Sequence, residues 1–173
     1  MTRHPLRLLA LAALSLLLAA PALAQRVVAF DHGAASIVLP DTFVTIERND
    51  GTLRAVFGPA GDHRLDVVVR DVAGPPGATD AGVQYVRAEA KARDLRVFEY
   101  PQRVAYLQPV VDQEVDGKAM RAAAWYVGFG NHMALITLVA PTASSPDLQR
   151  FLAKGLDQAV TSVRRTAVPR PPG

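Results

Sequence analysis

The sequence contains no cysteine among its 173 residues. Disulfide bonds, thiolate nucleophiles and cysteine-ligated metals are therefore excluded, and the fold must be held together by its core alone. Lysine is also scarce, occurring at positions 91, 118 and 154, so arginine supplies most of the basic charge. The arginines are scattered along the chain and form no basic stripe, so the sequence predicts no nucleic-acid partner.

The first 24 residues have the pattern of a secretory signal peptide. Arg3 and Arg7 precede an apolar run over residues 8–20, and Pro21 and an Ala-x-Ala site ending at Ala24 follow it. The run is too short for a transmembrane helix, which needs about 20 residues. We expect cleavage after Ala24, export to the periplasm if the cell is Gram-negative or secretion otherwise, and no transmembrane segment in the mature chain.

The chain after the signal peptide is expected to form one domain over residues 25–166. A chain of this size can bury roughly 68 to 70% of its unfolded surface, which is enough for a core without covalent staples. Residues 167–173, AVPRPPG, are expected to form a proline-rich disordered tail. No internal repeat and no second domain are evident in the sequence.

Two apolar strands within residues 118–141 are expected to form the centre of the fold. The pair Gly130-Asn131 separates two β-rich runs and predicts a tight type II′ turn, which sets Trp125 opposite Ile136 and Val127 opposite Ala134. Both faces of each strand are apolar, and this is typical of a sheet that is covered on both sides.

A second hairpin is expected at Asp50-Gly51, because this pair favours a two-residue type I′ turn. In that register Ile46 faces Ala55, and Glu47 pairs with Arg54 on the opposite face of the hairpin. A two-residue loop at Asp116-Gly117 is likewise expected to set Asp112 opposite Arg121.

Two helices are expected from changes in hydrophobic periodicity. The first lies within residues 80–94, and the second follows Ser145, which we expect to cap it, and Pro146, which suits its first position. Arg164 and Arg165 are expected to complement the negative end of the second helix dipole rather than to bind an anionic surface.

Three segments together resemble the PsbP-like fold: SIVLPDTFV, EVDGKAMRAAAWYV and LITLVAPTASSPDLQRFLAKGLDQAVTSV. This fold is shared by the extrinsic photosystem II subunit, the Mog-type Ran-binding proteins and exported bacterial proteins of the DcrB kind. The resemblance implies an α/β fold in which an antiparallel sheet is covered by helices on both faces, an α/β/α sandwich. It implies no enzyme and supplies neither a catalytic residue nor a cofactor, since these families mostly act through surfaces.

Histidine offers the weak candidates for a metal site. The dipeptides Asp31-His32 and Asp62-His63 each lie in a turn-rich stretch, and two imidazoles with two carboxylates would suit Zn²⁺. The alternative is that these are ordinary turn residues, since Asp can bond its own backbone. A third histidine, His132, flanks a distant turn, so we predict no tight zinc binding.

A carboxylate cluster and an aromatic cluster complete the candidate sites. Asp112, Glu114 and Asp116 share one face of a strand and could collect a hard cation such as Ca²⁺, unless Arg121 simply neutralises that strand. A ligand pocket between sheet and helix would draw on Trp125, Tyr85 and Phe43, although such aromatics are more often core residues.

No catalytic constellation is evident, because none of the serines after the signal peptide lies in a G-x-S-x-G elbow. We therefore expect an exported, non-catalytic binding or envelope-associated module that acts through protein surfaces, with another envelope protein as its partner. The alternative is a small-ligand carrier with an apolar pocket between sheet and helix, and a hydrolase is less favoured.

Overall fold

The computed structural model describes residues 24–48, 50–57, 61–144 and 146–165. The expected signal peptide, the Ser145 cap and the tail over residues 167–173 lie outside this range, except that Ala24 is described. The strands are β1 (Gln25–Phe30), β2 (Ala35–Pro40), β3 (Val44–Glu47), β4 (Leu53–Phe57), β5 (His63–Asp71), β6 (Val97–Tyr100), β7 (Arg103–Leu107), β8 (Val111–Val115), β9 (Lys118–Phe129), β10 (His132–Pro141) and β11 (Arg164–Arg165). The helices are α1 (Ala81–Ala92) and α2 (Pro146–Ser162).

The strands form two antiparallel sheets. The large sheet has eight strands in the order β3-β4-β5-β10-β9-β7-β6, with β8 pairing with the first half of β9. The small sheet has the order β1-β2-β11. Among the described residues, no helix is both long and apolar enough to cross a membrane.

The expected central hairpin is confirmed as β9 and β10. Trp125 lies opposite Ile136, and Val127 lies opposite Ala134. Gly130 has a φ of +50°, the positive value that a tight turn needs at this position and that glycine adopts at little cost. The Asp116-Gly117 turn is likewise followed by the expected pairing of Asp112 with Arg121.

One face of the large sheet forms the main core. Side chains including Val67, Val127 and Ile136 pack there against the small sheet and α2. The small sheet contributes Phe30, Ile37 and Leu39, α2 contributes Ala159 and Val160, and Val163 follows directly after the helix. All of these side chains are at most 1% exposed. Burial of large apolar side chains in this layer is the main stabilising contribution, at about 1.5 to 3 kcal/mol each.

The opposite face of the sheet is covered in part by α1. Val86 and Ala90 of the helix are fully buried against Val104 and Tyr106 of β7. At the start of α1, the backbone of Gly82 lies directly against the backbone of β9 at Gly128. The contact is so close that neither position has room for a Cβ atom.

The expectation of helices on both faces is wrong. The described part of the chain has two helices, and α2 packs chiefly on β2 of the small sheet rather than spreading over the large one. The layer on the core face is therefore built largely of strands. An apolar sheet face needs a covering layer, but strands can supply that layer as well as helices can.

The register expected for β3 and β4 is shifted by one residue. Ile46 pairs with Arg54 instead of Ala55, because Arg48 and Thr52 close a longer loop than the two-residue turn. The side chain of Asp50 accepts a hydrogen bond from the Thr52 N–H at 3.0 Å, which favours this loop. Arg54 lies directly opposite Asp66 of β5 and forms an ion pair with it, with 2.8 Å between Nε and Oδ1.

Candidate functional site

A cleft of about 820 Å³ opens at one end of the large sheet. It lies between the first turns of α1, the β6–β7 turn, the β9–β10 turn and β11. Two other clefts have volumes of about 200 Å³ each. The charged side chains that line the large cleft are Asp80, Arg87, Glu99, Arg103, Arg164 and Arg165.

The helix and the turn that border the cleft are tied together by hydrogen bonds. Asn131 accepts from the Ala81 N–H at 3.0 Å and donates to the Ala78 carbonyl at 2.7 Å. The Gly82 N–H donates to the Gly130 carbonyl at 2.9 Å. These bonds satisfy N–H groups that a helix otherwise leaves unpaired at its first turn, and they fix one wall of the cleft.

Arg103 is the positively charged side chain that binds backbone carbonyls at the C-terminal end of α2. Its Nη1 donates to the Val160 and Val163 carbonyls at 3.0 and 3.1 Å, and its guanidinium carbon lies 5.8 Å from the centre of the Phe129 ring. The expectation that Arg164 and Arg165 would complement this helix end is wrong, because they form β11 and lie beyond the last turn.

Arg165 anchors the short strand β11. Arg164 and Arg165 pair with Ser36 and Ala35 of β2. The Arg165 guanidinium forms an ion pair with Asp31, and its Nε lies 3.6 Å from Asp71. These contacts fix the backbone position from which Arg164 enters the cleft.

The charges in the cleft do not balance. Arg87 pairs with Glu99 at 2.9 Å, and the Asp80 carboxylate accepts from the Gln84 amide at 2.8 Å. Within the described chain, Arg103 and Arg164 have no carboxylate partner. Burial lowers the pKa of Arg103, and the positive charge of Arg164 lowers that pKa further. The cleft therefore holds two neighbouring cations that no acidic side chain of this region neutralises.

The two dipeptides considered as zinc ligands lie at opposite ends of β5. Asp31 reaches Arg165, which also approaches Asp71 at the end of the strand, whereas His63 begins it. Nine residues of strand span about 26 Å, so His32 and Asp31 do not meet His63 and Asp62. Among the residues that the structure describes, no group of three metal-type side chains occurs. The absence of tight zinc binding stays a prediction.

His63 instead takes part in a hydrogen-bonded chain that the sequence did not reveal. Its Nδ1 lies 2.8 Å from Asp62 Oδ1, and its Nε2 lies 3.0 Å from Ser144 Oγ. The order of groups is that of a serine hydrolase triad. No local sequence motif predicts this contact, because His63 and Ser144 are 81 positions apart in the sequence.

The surroundings of Ser144 favour a structural role for this chain. The Ser144 hydroxyl donates to the Pro141 carbonyl at 2.7 Å, and its own N–H is bound to the same carbonyl at 3.1 Å. The Thr142 N–H is bound to Ala119 at 3.0 Å. The N–H groups of Ser144 and Thr142 are thus occupied, whereas an oxyanion hole needs free donors. His63 joins the start of β5 to the end of β10.

The three aromatic residues considered for a pocket lie apart. Trp125 and Phe43 belong to the core face, where they contact Phe98 and Phe57 at ring distances of 5.3 and 5.6 Å. Tyr85 is on α1, across the sheet, and is 42% exposed.

The carboxylates of β8 are also accounted for in part. Asp112 pairs with Arg121 at 2.9 Å, and this hydrogen bond lowers the pKa of the carboxyl. Arg121 thus neutralises Asp112, one of the three carboxylates considered for a cation site.

Comparison with known proteins identifies the fold. No family model and no curated protein matches the chain. A protein from Bacteroides thetaiotaomicron VPI-5482 superposes with a TM-score of 0.60 at 11% identity, over 84% of this chain and 49% of that one. The chain therefore spans about half the length of that protein. The Saccharomyces cerevisiae Ran-binding protein Mog1p superposes with a TM-score of 0.52 at 11% identity, over 83% of this chain and 96% of Mog1p. The chain has a PsbP/Mog-like fold.

Cyanobacterial PsbP from Synechocystis sp. PCC 6803 is more distant, with a TM-score of 0.37 at 11% identity over 85% of this chain and 95% of its own. At such identities the likeness to other PsbP/Mog-like proteins shows the fold alone. What the arginine-lined cleft binds therefore has to be inferred from the side chains of this chain.

Proposed function

We propose that this PsbP/Mog-like protein is an exported, non-catalytic binding module that holds an acidic segment of a partner protein in the arginine-lined cleft. The observation that supports this most is how the four lining arginines are paired: Arg87 is bound to Glu99, and Arg165 is bound to carboxylates outside the lining. Arg103 and Arg164 stay without an acidic partner in the described part, so an acidic segment would supply the missing charge.

The chemistry of the lining favours binding over catalysis. No histidine, cysteine or serine lies among the described residues that line the cleft, so the side chains most often used as base or nucleophile are missing from it. The apolar carrier is also less favoured, because this cleft is open and charged, and ligand carriers usually have enclosed apolar cavities.

The size of the cleft and its fold family suit a protein partner. A volume of about 820 Å³ can accept several residues of an extended segment. Tyr100, Val104 and Phe129 give part of the lining an apolar surface on which the methylene groups of acidic side chains can pack. The name of Mog1p describes it as a Ran-binding protein, so one member of this fold is known by a protein partner.

Export is supported by where the first strand begins. β1 starts at Gln25, the residue that follows the expected cleavage site. The Ala24 carbonyl accepts a hydrogen bond from the Asp41 N–H at 3.0 Å, so cleavage there after folding would break a bond of the structure. We therefore expect processing to precede folding, as it does when a chain crosses a membrane unfolded.

The test is a binding titration with a fluorescent acidic peptide of about ten residues at low salt, followed by anisotropy. We expect Arg164→Glu to weaken binding at least tenfold, which corresponds to about 1.4 kcal/mol. The matched control is Lys118→Glu, which makes the same change in charge at the other end of β9. Its twelve residues place that position roughly 36 Å from the cleft.

Equal weakening by Arg164→Glu and Lys118→Glu would show that the peptide responds only to net charge, and the proposal would fail. A second surface would then become the better candidate. Val44 and Ile46, on β3 at the edge of the large sheet, are 62% and 54% exposed. Neighbouring apolar side chains on an edge strand are a common site of contact between proteins.

A further inference from the structure

Arg103 and Arg164 differ from the other basic residues of the cleft. Arg87 is neutralised by Glu99, and Arg165 by Asp31 and Asp71. An incoming anion would have to displace a carboxylate from either of these two arginines. An anion that binds Arg103 or Arg164 would displace no carboxylate, because neither arginine contacts a carboxylate among the described residues.

We infer that Arg103 and Arg164, which both line the binding cleft, together form a subsite for one oxyanion group, either a carboxylate or a phosphate. This inference rests on the proposed function, because it names the group of the ligand that the cleft recognises. A guanidinium presents a planar fork of donors that matches the oxygens of either anion in a bidentate manner.

The Arg103 side chain is held in place before any ligand arrives. Nη1 is bound to two carbonyls at the end of α2, and the guanidinium lies over the Phe129 ring. Those bonds use one nitrogen and leave Nη2 and Nε with no protein partner in the described residues. A fixed donor group loses little conformational entropy on binding, so its contacts contribute more to affinity.

Arg164 completes the subsite from a backbone that is fixed rather than from a free chain end. Its strand is paired to β2, and the neighbouring Arg165 is held by Asp31. Its side chain is exposed, and no contact with the described residues occupies its donors. Burial and the charge of Arg164 both lower the pKa of Arg103, which agrees with two cations sharing one cleft.

The first turn of α1 is not the source of the subsite. The N–H groups of Ala81 and Gly82 are already bound to Asn131 and Gly130. Two donors of this helix end are therefore already used, and the helix adds its positive potential at the cleft wall. Recognition of the anion depends on the two arginine side chains, and their substitution is the decisive perturbation.

The experiment is an NMR titration of the full ¹⁵N-labelled protein with inorganic phosphate and, separately, with acetate, at constant ionic strength. We expect saturable shifts of the Gln102, Gly130 and Arg164 amides with at least one of the two anions. Arg164→Ala and Arg103→Lys should each weaken binding at least tenfold. The lysine keeps the positive charge of Arg103 but loses the fork. Lys118→Ala, the control, should change nothing.

Each outcome of the two titrations either supports or overturns the anion subsite. Saturation by phosphate alone assigns the subsite to phosphorylated ligands, and saturation by acetate alone assigns it to carboxylates. Shifts that do not saturate with either anion, or that persist unchanged in Arg164→Ala, would overturn the inference. If the acidic peptide binds through Arg164 but neither small anion saturates, the inference fails and the proposed function stands. If a small anion binds and the peptide does not, the reverse holds.

Discussion

The contact between Gly82 and Gly128 makes a sharp prediction about how α1 is held on the sheet. A Cβ atom at Gly82 would lie 1.9 Å from the His132 carbonyl oxygen, and one at Gly128 would lie 2.4 Å from the Gly82 carbonyl oxygen. The obstructing atoms belong to the backbone, so no side-chain rotation relieves the overlap. Gly82→Ala should therefore push the first turn of α1 away from the sheet by about 1.5 Å, to reach ordinary contact distance.

The cost follows from what the helix buries. Lifting α1 opens a gap beneath Val86 and Ala90, and overpacking of this kind costs about 1 to 3 kcal/mol or somewhat more. Alanine returns at most about 1 kcal/mol through its higher helix propensity. We expect a net loss of about 2 kcal/mol, which lowers Tm by roughly 4 to 8 °C in a domain of this size.

The assay is urea denaturation followed by the fluorescence of Trp125, the single tryptophan, and by circular dichroism. Gly155→Ala is the matched control, because a Cβ atom there would meet its nearest neighbours at 3.8 Å, an ordinary contact distance. That variant should be neutral or more stable by up to about 1 kcal/mol. Gly82→Ala at or above the stability of the unchanged protein would refute the close packing of α1.

Three further predictions concern the core and the processing site. Trp125→Ala should cost about 3 kcal/mol, because the partly buried ring packs on Phe98, and a denaturation midpoint that does not move would show that the ring contributes no core packing. Burial raises the pKa of Tyr106 to about 12. The unfolded chain therefore ionises first, and stability should fall as the pH rises from about 10 to 12. Tyr106→Phe should reduce that fall, although Tyr100, whose pKa burial also raises, still contributes to it. The substitution also removes a buried hydroxyl without a described partner, so the variant should be more stable by about 1 kcal/mol at neutral pH, and lower stability in urea titrations would contradict this. Mass spectrometry of the exported protein should find Gln25 at its amino terminus, and retention of Met1 would exclude processing.

Local signals predicted the centre of the fold. Gly130-Asn131 and Asp116-Gly117 each fixed a hairpin and its register, because a short turn leaves the strands little freedom to slide. The Asp50-Gly51 hairpin shows the limit of that argument. One extra loop residue changed every pairing along β3, and a side-chain hydrogen bond of Asp50 favoured the longer loop.

The layer on the core face and the cleft depended on contacts between distant parts of the chain. Periodicity showed that β9 and β10 were covered, but burial is satisfied equally by strands and helices, so the small sheet was missed. Arg103 binds carbonyls 57 and 60 positions away, and Arg165 reaches Asp31 across 134 positions. No sequence spacing marks such pairs, which is why the cleft was found only in three dimensions.

The most direct test of the account is to locate the acidic ligand on the protein. An acidic peptide with a nitroxide spin label at one end would broaden the amide signals of nearby residues in an NMR spectrum of the full protein. The account predicts broadening at Thr79, Gln102 and Gly130, which line the cleft, and none at Lys118. Broadening centred on Val44 and Ile46 would place the ligand on β3 and contradict the assignment of the cleft as the binding site.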